Sequence, residues 1–142
     1  MDHEAEKAAG SAVIPAATRV LLIKRGKPPS EGTWTFPGGR VVPSERLEDA
    51  LVREVLEETG LVVAVDELVE VIEVIDERYH YVILDYLVHP TAGVEDLRAG
   101  DDAADARLVP LSELADYQVT DAVRRVIARA LEIRAARNLE RA

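Results

Sequence analysis

Residues 39–61 have the sequence GRVVPSERLEDALVREVLEETGL. Ser44 is a residue type that caps helix N-termini, and Gly60 suits the left-handed conformation in which many helices end. The stretch therefore predicts a helix from Glu45 to about Thr59. At about 100° per residue the apolar side chains share one arc of this helix, which would be its buried face. This arc contains Leu47, Ala50, Leu51 and Val55.

Three carboxylates lie on or beside this buried arc. With Leu47 at zero, Glu54 falls at about 340° and Glu58 at about 20°, whereas Glu57 falls at the edge, at about 280°. Arg53 precedes Glu57 by four residues, so one interpretation is a solvated face of salt bridges. A single arginine does not neutralise three clustered acids, and two of them lie where a solvated face should not be. The set therefore indicates a hard divalent cation, because carboxylate oxygens without His or Cys suit magnesium or manganese.

The spacing of these residues resembles a known family motif. Gly39, five residues, Glu45, seven residues and then REVLEETGL from Arg53 to Leu61 match the Nudix box at every defined position. The match covers 23 residues, and the expected strand, loop and helix surround it. The resemblance implies a hydrolase that cuts a diphosphate linkage in a nucleoside diphosphate derivative, with magnesium as its cofactor and manganese as a possible substitute.

The resemblance also implies roles for individual residues. Arg53 would orient the glutamates, and Glu45 would anchor the loop or contact water at the metal. Gly38 and Gly39 would bring backbone close to the metal and the phosphate. The implied metal ligands are Gly39, Glu54, Glu57 and Glu58. In this family water activated by metal attacks phosphorus without a covalent intermediate, so the protein contributes positioning and charge neutralisation.

The general base is left open by the motif. Glu57 or Glu58 is the favoured candidate, with Asp101 or Asp102 assisting from an acidic loop predicted over residues 90–105. A connection of this length inside a compact domain is usually functional, and we expect it to close over bound substrate. The loop also contains Glu95 and Asp96, and for any one of its acids a solvated position in a flexible loop is the favoured interpretation.

Two further residues are candidates for substrate binding. Trp34, the only tryptophan, either stacks on a base or ribose or packs beneath the loop that follows it. Arg25, near Lys24 and Lys27, either contacts a phosphate or is a solubilising charge at a strand end. The sequence favours neither interpretation of Trp34 and slightly favours the second one for Arg25.

Composition limits the remaining possibilities. The 142 residues suit one domain, predicted over residues 11–142 after a flexible arm at residues 1–10. The net charge of -10 disfavours polymeric nucleic acid as a partner, so the expected partner is a small nucleotide. No apolar run is long enough for a membrane span, and the absence of cysteine weakly favours the cytoplasm. A homodimer is the default assembly.

The order of predicted elements gives the fold class. Strands are expected at residues 12–14, 19–24 and 34–36, with the first two forming a hairpin, then in a long antiparallel pair at 61–75 and 79–88, and at 106–109. A terminal helix capped by Thr120 carries a stripe of Val123, Val126, Ile127, Ala130 and Leu131. Mixed strands between two helices indicate an α+β protein, an α/β sandwich, as the resemblance also implies.

The substrate is less determined than the chemistry. The segments LLIKR, WTFPGG and AGDDA resemble ADP-ribose pyrophosphatases, so ADP-ribose or a nucleotide sugar is the first expectation. A pyrophosphohydrolase that removes damaged nucleoside triphosphates is the alternative. A sensing module that binds nucleotides without cutting them is a third possibility, and the complete set of carboxylates speaks against it.

Overall fold

The structure, a computed structural model, describes residues 5–27, 30–75, 77, 79–100 and 103–141. Its strands are Ala5–Val13 (β1), Pro15–Ala16 (β2), Arg19–Arg25 (β3), Trp34–Thr35 (β4), Gly38–Arg40 (β5), Val62–Ile75 (β6), Tyr79–Ala92 (β7) and Ala103–Pro110 (β8). Its α-helices are Leu47–Thr59 (α1) and Asp121–Arg141 (α2). Short 3-10 helices occupy Val94–Asp96 and Leu111–Asp116.

The strands form two sheets. In the larger one the order is β5-β1-β7-β6, where β1 runs parallel to β7 and every other neighbouring pair is antiparallel. In the smaller one β3 pairs with β2, β4 and β8. The predicted hairpin between residues 12–14 and 19–24 is wrong, because residues 12 and 13 belong to β1 in the larger sheet. β3 instead pairs with β2, which lies inside the segment predicted to be the break between the strands.

The larger sheet separates two apolar clusters. Ala12 packs with Leu51 and Val55 of α1, whereas the next residue, Val13, packs with Val126 and other residues of α2. Consecutive residues of a strand point to opposite faces, so a single strand contributes to both cores. Helices therefore lie on both faces of a mixed sheet, which confirms the predicted α+β sandwich.

The start of α1 differs from the prediction. The helix begins at Leu47, its capping position is Arg46 without a side-chain cap, and Ser44 lies in the left-handed region at φ 72°. Glu45 donates its backbone N–H to the Val42 carbonyl at 3.0 Å, so Pro43 and Ser44 form a turn. The assignment of Ser44 as N-cap is wrong, whereas Gly60 at φ 80° ends the helix as predicted.

The expected arm at residues 1–10 is partly a strand. From Ala5 onward β1 pairs in register with β7, and Ala9 and Gly10 also pair with β5. The sequence did not predict this strand because its residues show no alternation of apolar and polar side chains. The strand is stabilised instead by backbone hydrogen bonds to the neighbouring strands, which side-chain pattern does not reveal. A Cβ on Gly10 would lie 3.4 Å from Leu51, so small residues allow α1 to approach closely.

The predicted loop at residues 90–105 is shorter than expected. β7 continues to Ala92 and β8 begins at Ala103, so the connection is residues 93–102. Pro90 is tolerated in β7 because β1 stops opposite Leu87, and beyond that point β7 has an edge at which a missing N–H costs nothing.

The final helix matches its predicted cap and stripe. Thr120 Oγ1 accepts a hydrogen bond from Val123 N at 3.2 Å. Val123, Val126, Ile127 and Ala130 are buried, while Leu131 is half-buried. Among the described residues no helix combines the length and the apolar character needed to cross a bilayer.

Asp85 of β7 is a buried acid in this framework. Asp85 is 2% exposed, and its Oδ2 has no hydrogen-bond partner among the described residues. Burial raises the pKa of Asp85 from 3.8 to about 7, against the lowering effect of a hydrogen bond with Ser11. The folded state therefore keeps a proton that the unfolded chain loses near pH 4, and stability falls as pH rises from about 4 to 7.

Asp85→Asn should remove this pH dependence, because an amide resembles the protonated carboxyl group. We expect little difference in the free energy of unfolding from wild type at pH 4. By pH 8 the variant should be more stable, by an amount on the order of a few kcal/mol, since one pKa unit corresponds to about 1.4 kcal/mol. Denaturant unfolding across this range measures the difference, with Asp116→Asn, an exposed acid, as control. A difference that is constant with pH would contradict the assignment.

Candidate active site

The acidic side of α1 is arranged as the helical wheel predicted. Leu51 and Val55 are buried and anchor the helix, while Glu54 and Glu58 on the same side are half-buried. Glu57 lies at the edge, with 58% of its side chain exposed. Two carboxylates therefore sit where solvent screens them only partly, which makes their repulsion costly without a compensating cation.

Arg53 supplies part of that compensation. Its Nε and Nη2 each donate to one oxygen of Glu45 at 2.9 Å, a bidentate pair. Its Nη1 donates to Glu54 Oε1 at 3.0 Å and reaches Glu57 Oε2 at 3.3 Å. One guanidinium therefore contacts three carboxylates, which fixes its plane and the positions of the two helix acids.

The electrostatics of this network follow from the contacts. The hydrogen bond from Arg53 lowers the pKa of Glu45 below its ordinary value. The same bond, together with those to Glu54 and Glu57, raises the pKa of Arg53. The contact therefore favours the charged forms of both the Glu45 carboxylate and the Arg53 guanidinium.

The glycines of β5 lie directly against the other carboxylates. Gly38 N donates to Glu58 Oε1 at 2.9 Å, and a Cβ on Gly39 would lie 2.5 Å from Glu54 Cδ. A Cβ on Gly38 would meet the carbonyl oxygen of Gly10 at 2.1 Å. Glycine is required at Gly38 because the neighbouring atoms are backbone, whereas at Gly39 a Cβ would require the Glu54 carboxylate to move.

These groups line a cleft of about 800 Å³. Its lining includes Glu54, Glu57 and Glu58 with the two glycines, and also three basic residues, Arg25, Lys27 and Arg98. Arg25 was a sequence candidate, and the structure brings it to this cleft. Arg98 was missed, although a single cation in an otherwise acidic segment was a signal that could have found it. The cleft therefore combines acidic and basic side chains in its lining.

The segment after β7 is fastened to the end of α1. Arg98 N donates to Thr59 O at 3.1 Å, and Gly100 N donates to Glu58 O at 2.8 Å. These bonds satisfy carbonyls that the last turn of a helix leaves without partners. A Cβ on Gly100 would lie 2.3 Å from Glu57 O, so only glycine fits. The segment is thereby held beside the glutamates.

Trp34 does not line this cleft. It is 8% exposed, packs edge-on against Tyr117 with ring centroids 5.1 Å apart, and lies under the guanidinium of Arg107 at 5.4 Å. Of the two interpretations left open by the sequence, packing is the one that fits, and Trp34 is withdrawn as a substrate contact. An isolated aromatic residue in a sequence does not indicate which way its ring faces.

The loop acids are only partly described. Asp101 and Asp102 lie outside the described residues. Glu95 and Asp96 are exposed in the 3-10 helix after β7 and do not line the cleft.

Comparison with known proteins gives the family. The family model of the NUDIX domain matches residues 5–130, which include all strands, α1 and the first half of α2. The chain belongs to the Nudix family. An ADP-ribose pyrophosphatase of Methanocaldococcus jannaschii is 38% identical over 104 residues, 72% of this chain and 60% of that protein. An 8-oxo-dGDP phosphatase of Mus musculus is 37% identical over 84 residues, 59% of this chain and 24% of that protein.

A solved structure supports the same fold. The MutT Nudix hydrolase of Burkholderia pseudomallei is 30% identical, with a TM-score of 0.66, over 89% of this chain and 98% of that one. The Nudix domain described here thus confirms the resemblance drawn from residues 39–61. It spans less than two thirds of the length of the two curated relatives.

Nudix proteins generally use a divalent metal, and the donors in the cleft suit one chemically. Carboxylate and backbone oxygens are the ligands of hard cations. Among the described residues, however, no three acidic, His or Cys side chains are gathered closely enough to form a ready cage. Arg53 and the Gly38 N–H hold the carboxylates instead. The residues fit a cation that draws them together.

Gly100→Ala should detach the fastened segment from α1. The added Cβ would collide with a backbone oxygen that cannot swing away, so the hydrogen bonds from residues 98 and 100 should break. Hydrogen exchange at these two amides should accelerate by at least about ten-fold, which corresponds to a loss of about 1.4 kcal/mol of local protection. Ala99→Gly is the matched control on the neighbouring residue. Unchanged protection in Gly100→Ala would show that the segment is held by other contacts.

Proposed function

We propose that this Nudix domain is a magnesium-dependent hydrolase that cleaves a diphosphate linkage in a nucleoside diphosphate derivative. The observation that carries the proposal is that Glu54, Glu57 and Glu58 line the same cleft as Arg25, Lys27 and Arg98. A diphosphate is an anion that needs cationic contacts, and carboxylates can approach it only through a bound cation. Both requirements are met in one cavity.

The basic residues would bind and orient the substrate. Arginine guanidinium groups recognise phosphate oxygens with two parallel hydrogen bonds, while lysine acts as a point charge. Arg25 of β3 and Arg98 of the segment after β7 both line the cleft, so either could contact the diphosphate. Holding the linkage at a defined distance from an attacking water lowers the entropic part of the barrier.

The acidic residues would hold the metal. Glu54, Glu57 and Glu58 are the proposed side-chain ligands, with the backbone of Gly39 beside Glu54. A bound divalent cation supplies charge neutralisation of the phosphate oxygens and lowers the pKa of coordinated water. Arg53 is a positioning residue in this scheme: Glu45 holds its guanidinium, and the guanidinium holds Glu54 and Glu57.

The proton of the attacking water would go to a carboxylate. Glu57 or Glu58 is the candidate within the cleft, because both line it. Assistance from Asp101 or Asp102 stays a prediction of the sequence. The hydrogen bond from Gly100 N to Glu58 O supports this assistance, because it anchors the residue before Asp101 beside α1.

ADP-ribose is the first proposed substrate, with a nucleotide sugar as its nearest variant. The relative matched over most of this chain is an ADP-ribose pyrophosphatase. Hydrolysis of a damaged nucleoside triphosphate or diphosphate is the second candidate, which the similarity to an 8-oxo-dGDP phosphatase favours. A location in the cytoplasm and a homodimeric assembly remain predictions of the sequence.

A substrate panel tests the proposal. ADP-ribose, nucleotide sugars, dinucleoside polyphosphates and both ordinary and 8-oxo nucleoside triphosphates should be assayed with magnesium and again with a chelator. We expect magnesium-dependent release of two phosphate monoesters from ADP-ribose. Pyrophosphate release from a triphosphate alone would favour the second candidate. Binding without turnover of any substrate would identify a sensing module and refute catalysis.

Replacement of the acids tests their assignment. Glu57→Gln and Glu58→Gln keep the shape of the side chain but remove the charge, so each should lower kcat by about 100-fold or more, several kcal/mol of transition-state stabilisation. The affinity for manganese, measured by titration, should weaken in the same variants.

Glu48→Gln is the matched control. Glu48 lies in the first turn of α1 and does not line the cleft. Its variant should keep both kcat and manganese affinity. Equal effects in all three variants would mean that charge on the helix, and not ligation, matters.

A further inference from the structure

A second cavity lies on the other side of the molecule from the cleft. This α2 pocket, of about 150 Å³, is lined chiefly by Arg134, Arg137 and Arg141 of α2, Asp66 of β6, and Leu87 and His89 of β7. It shares no lining residue with the cleft described above. None of the roles proposed for catalysis involves these residues.

The arginines occupy positions where the helix should bury apolar side chains. Val123, Ile127 and Ala130 face the sheet and are at most 7% exposed. Continuing the same alternating steps of four and three residues leads to Arg134, Arg137 and Arg141. The seam of α2 therefore changes from apolar to cationic in its last turns, and Arg134 and Arg137 are half-buried there.

Strand β6, which lies opposite these arginines, contains a bulge. The register between β6 and β7 shifts between Val65 and Glu67, so Asp66 is a bulged residue without a partner in the ladder. A bulge re-aims side chains. Arg137 consequently contacts both Asp66 at 3.6 Å and Glu67 at 3.1 Å, although adjacent residues of a regular strand would face opposite ways.

The local charges do not cancel. Asp66 and Glu67 supply two negative charges against the three arginines, and Asp66 is also contacted by His89 Nδ1 at 2.9 Å. Arg134 donates only to a neutral carbonyl, that of Ala17, at 3.0 Å. Arg141 has no ion pair or hydrogen bond within the described chain. A positive excess thus remains where Arg134 and Arg137 are half-buried and Arg141 is exposed, in a chain whose net charge is -10.

We infer that the α2 pocket binds a phosphate group. Converging guanidinium groups are the preferred protein ligand for a tetrahedral oxyanion, because each offers paired donors. The volume of 150 Å³ is that of about five water molecules, enough for the five heavy atoms of one phosphate. The group is either free inorganic phosphate or the phosphate of a nucleoside monophosphate.

Amide chemical shifts of the full chain, followed during titration with inorganic phosphate, test the inference. Signals of His89 and Asn138 report on the α2 pocket, and those of Gly38 and Gly39 report on the cleft, so the two sites are distinguished in one experiment. We expect saturable shifts at His89 and Asn138 at millimolar phosphate. Adenosine monophosphate that binds there more tightly than phosphate would identify the nucleotide as the source, whereas weaker binding would identify free phosphate.

Arg141→Gln is the decisive variant, because it removes a charge that holds no other part of the described chain. It should weaken binding at the α2 pocket by about ten-fold, the value of one charge-assisted contact, without changing the melting temperature. Arg124→Gln, an exposed arginine of the same helix away from the pocket, should leave binding unchanged. Absence of saturable shifts at His89 and Asn138, or equal weakening in both variants, would overturn the inference.

Discussion

The guanidinium of Arg53 is the contact on which the arrangement of the cleft depends. Three glutamates at spacings of three, one and four along α1 would repel one another, and two are half-buried. Arg53 spans Glu45, outside the helix, and Glu54 and Glu57, within it. The positive charge of Arg53 thereby stabilises an acidic cluster on the buried side of α1. Arg53 also connects the turn before the helix to that cluster through Glu45.

Close approach of backbone is the second requirement, and glycine provides it from three directions. Gly38 fits between the carbonyl of Gly10 and the carboxylate of Glu58, while Gly39 fits against Glu54. Gly100 fits against the carbonyl of Glu57. At Gly38 and Gly100 the neighbour is backbone, so a Cβ does not fit, and at Gly39 a Cβ would displace the Glu54 carboxylate. The strand before α1 and the segment after β7 therefore converge on the same two turns of helix, and the cleft forms between them.

The two cavities illustrate opposite uses of charge. In the cleft, three carboxylates of α1 lie beside Arg53 and share the lining with three basic residues, a donor set that suits a divalent cation together with a phosphate. In the α2 pocket, arginines outnumber the acids that face them, which leaves a demand for an anion. The larger sheet separates α1 from α2, so the two cavities can coexist in a protein of 142 residues.

Sequence alone determined that a helix ends at Thr59 before the left-handed Gly60, its acidic face and the family, because these depend on local spacing and on residue types with few alternatives, whereas the predicted start at Glu45 was two residues too early. It did not determine that residues 5–10 form a strand, that Trp34 is buried or that Arg98 lines the cleft. Each of these depends on what lies opposite in space: two neighbouring strands for β1, Tyr117 for the indole, and the end of α1 for the segment after β7. Local pattern records the conformation a residue prefers, whereas only the tertiary structure decides which distant group satisfies its hydrogen bonds and its charge.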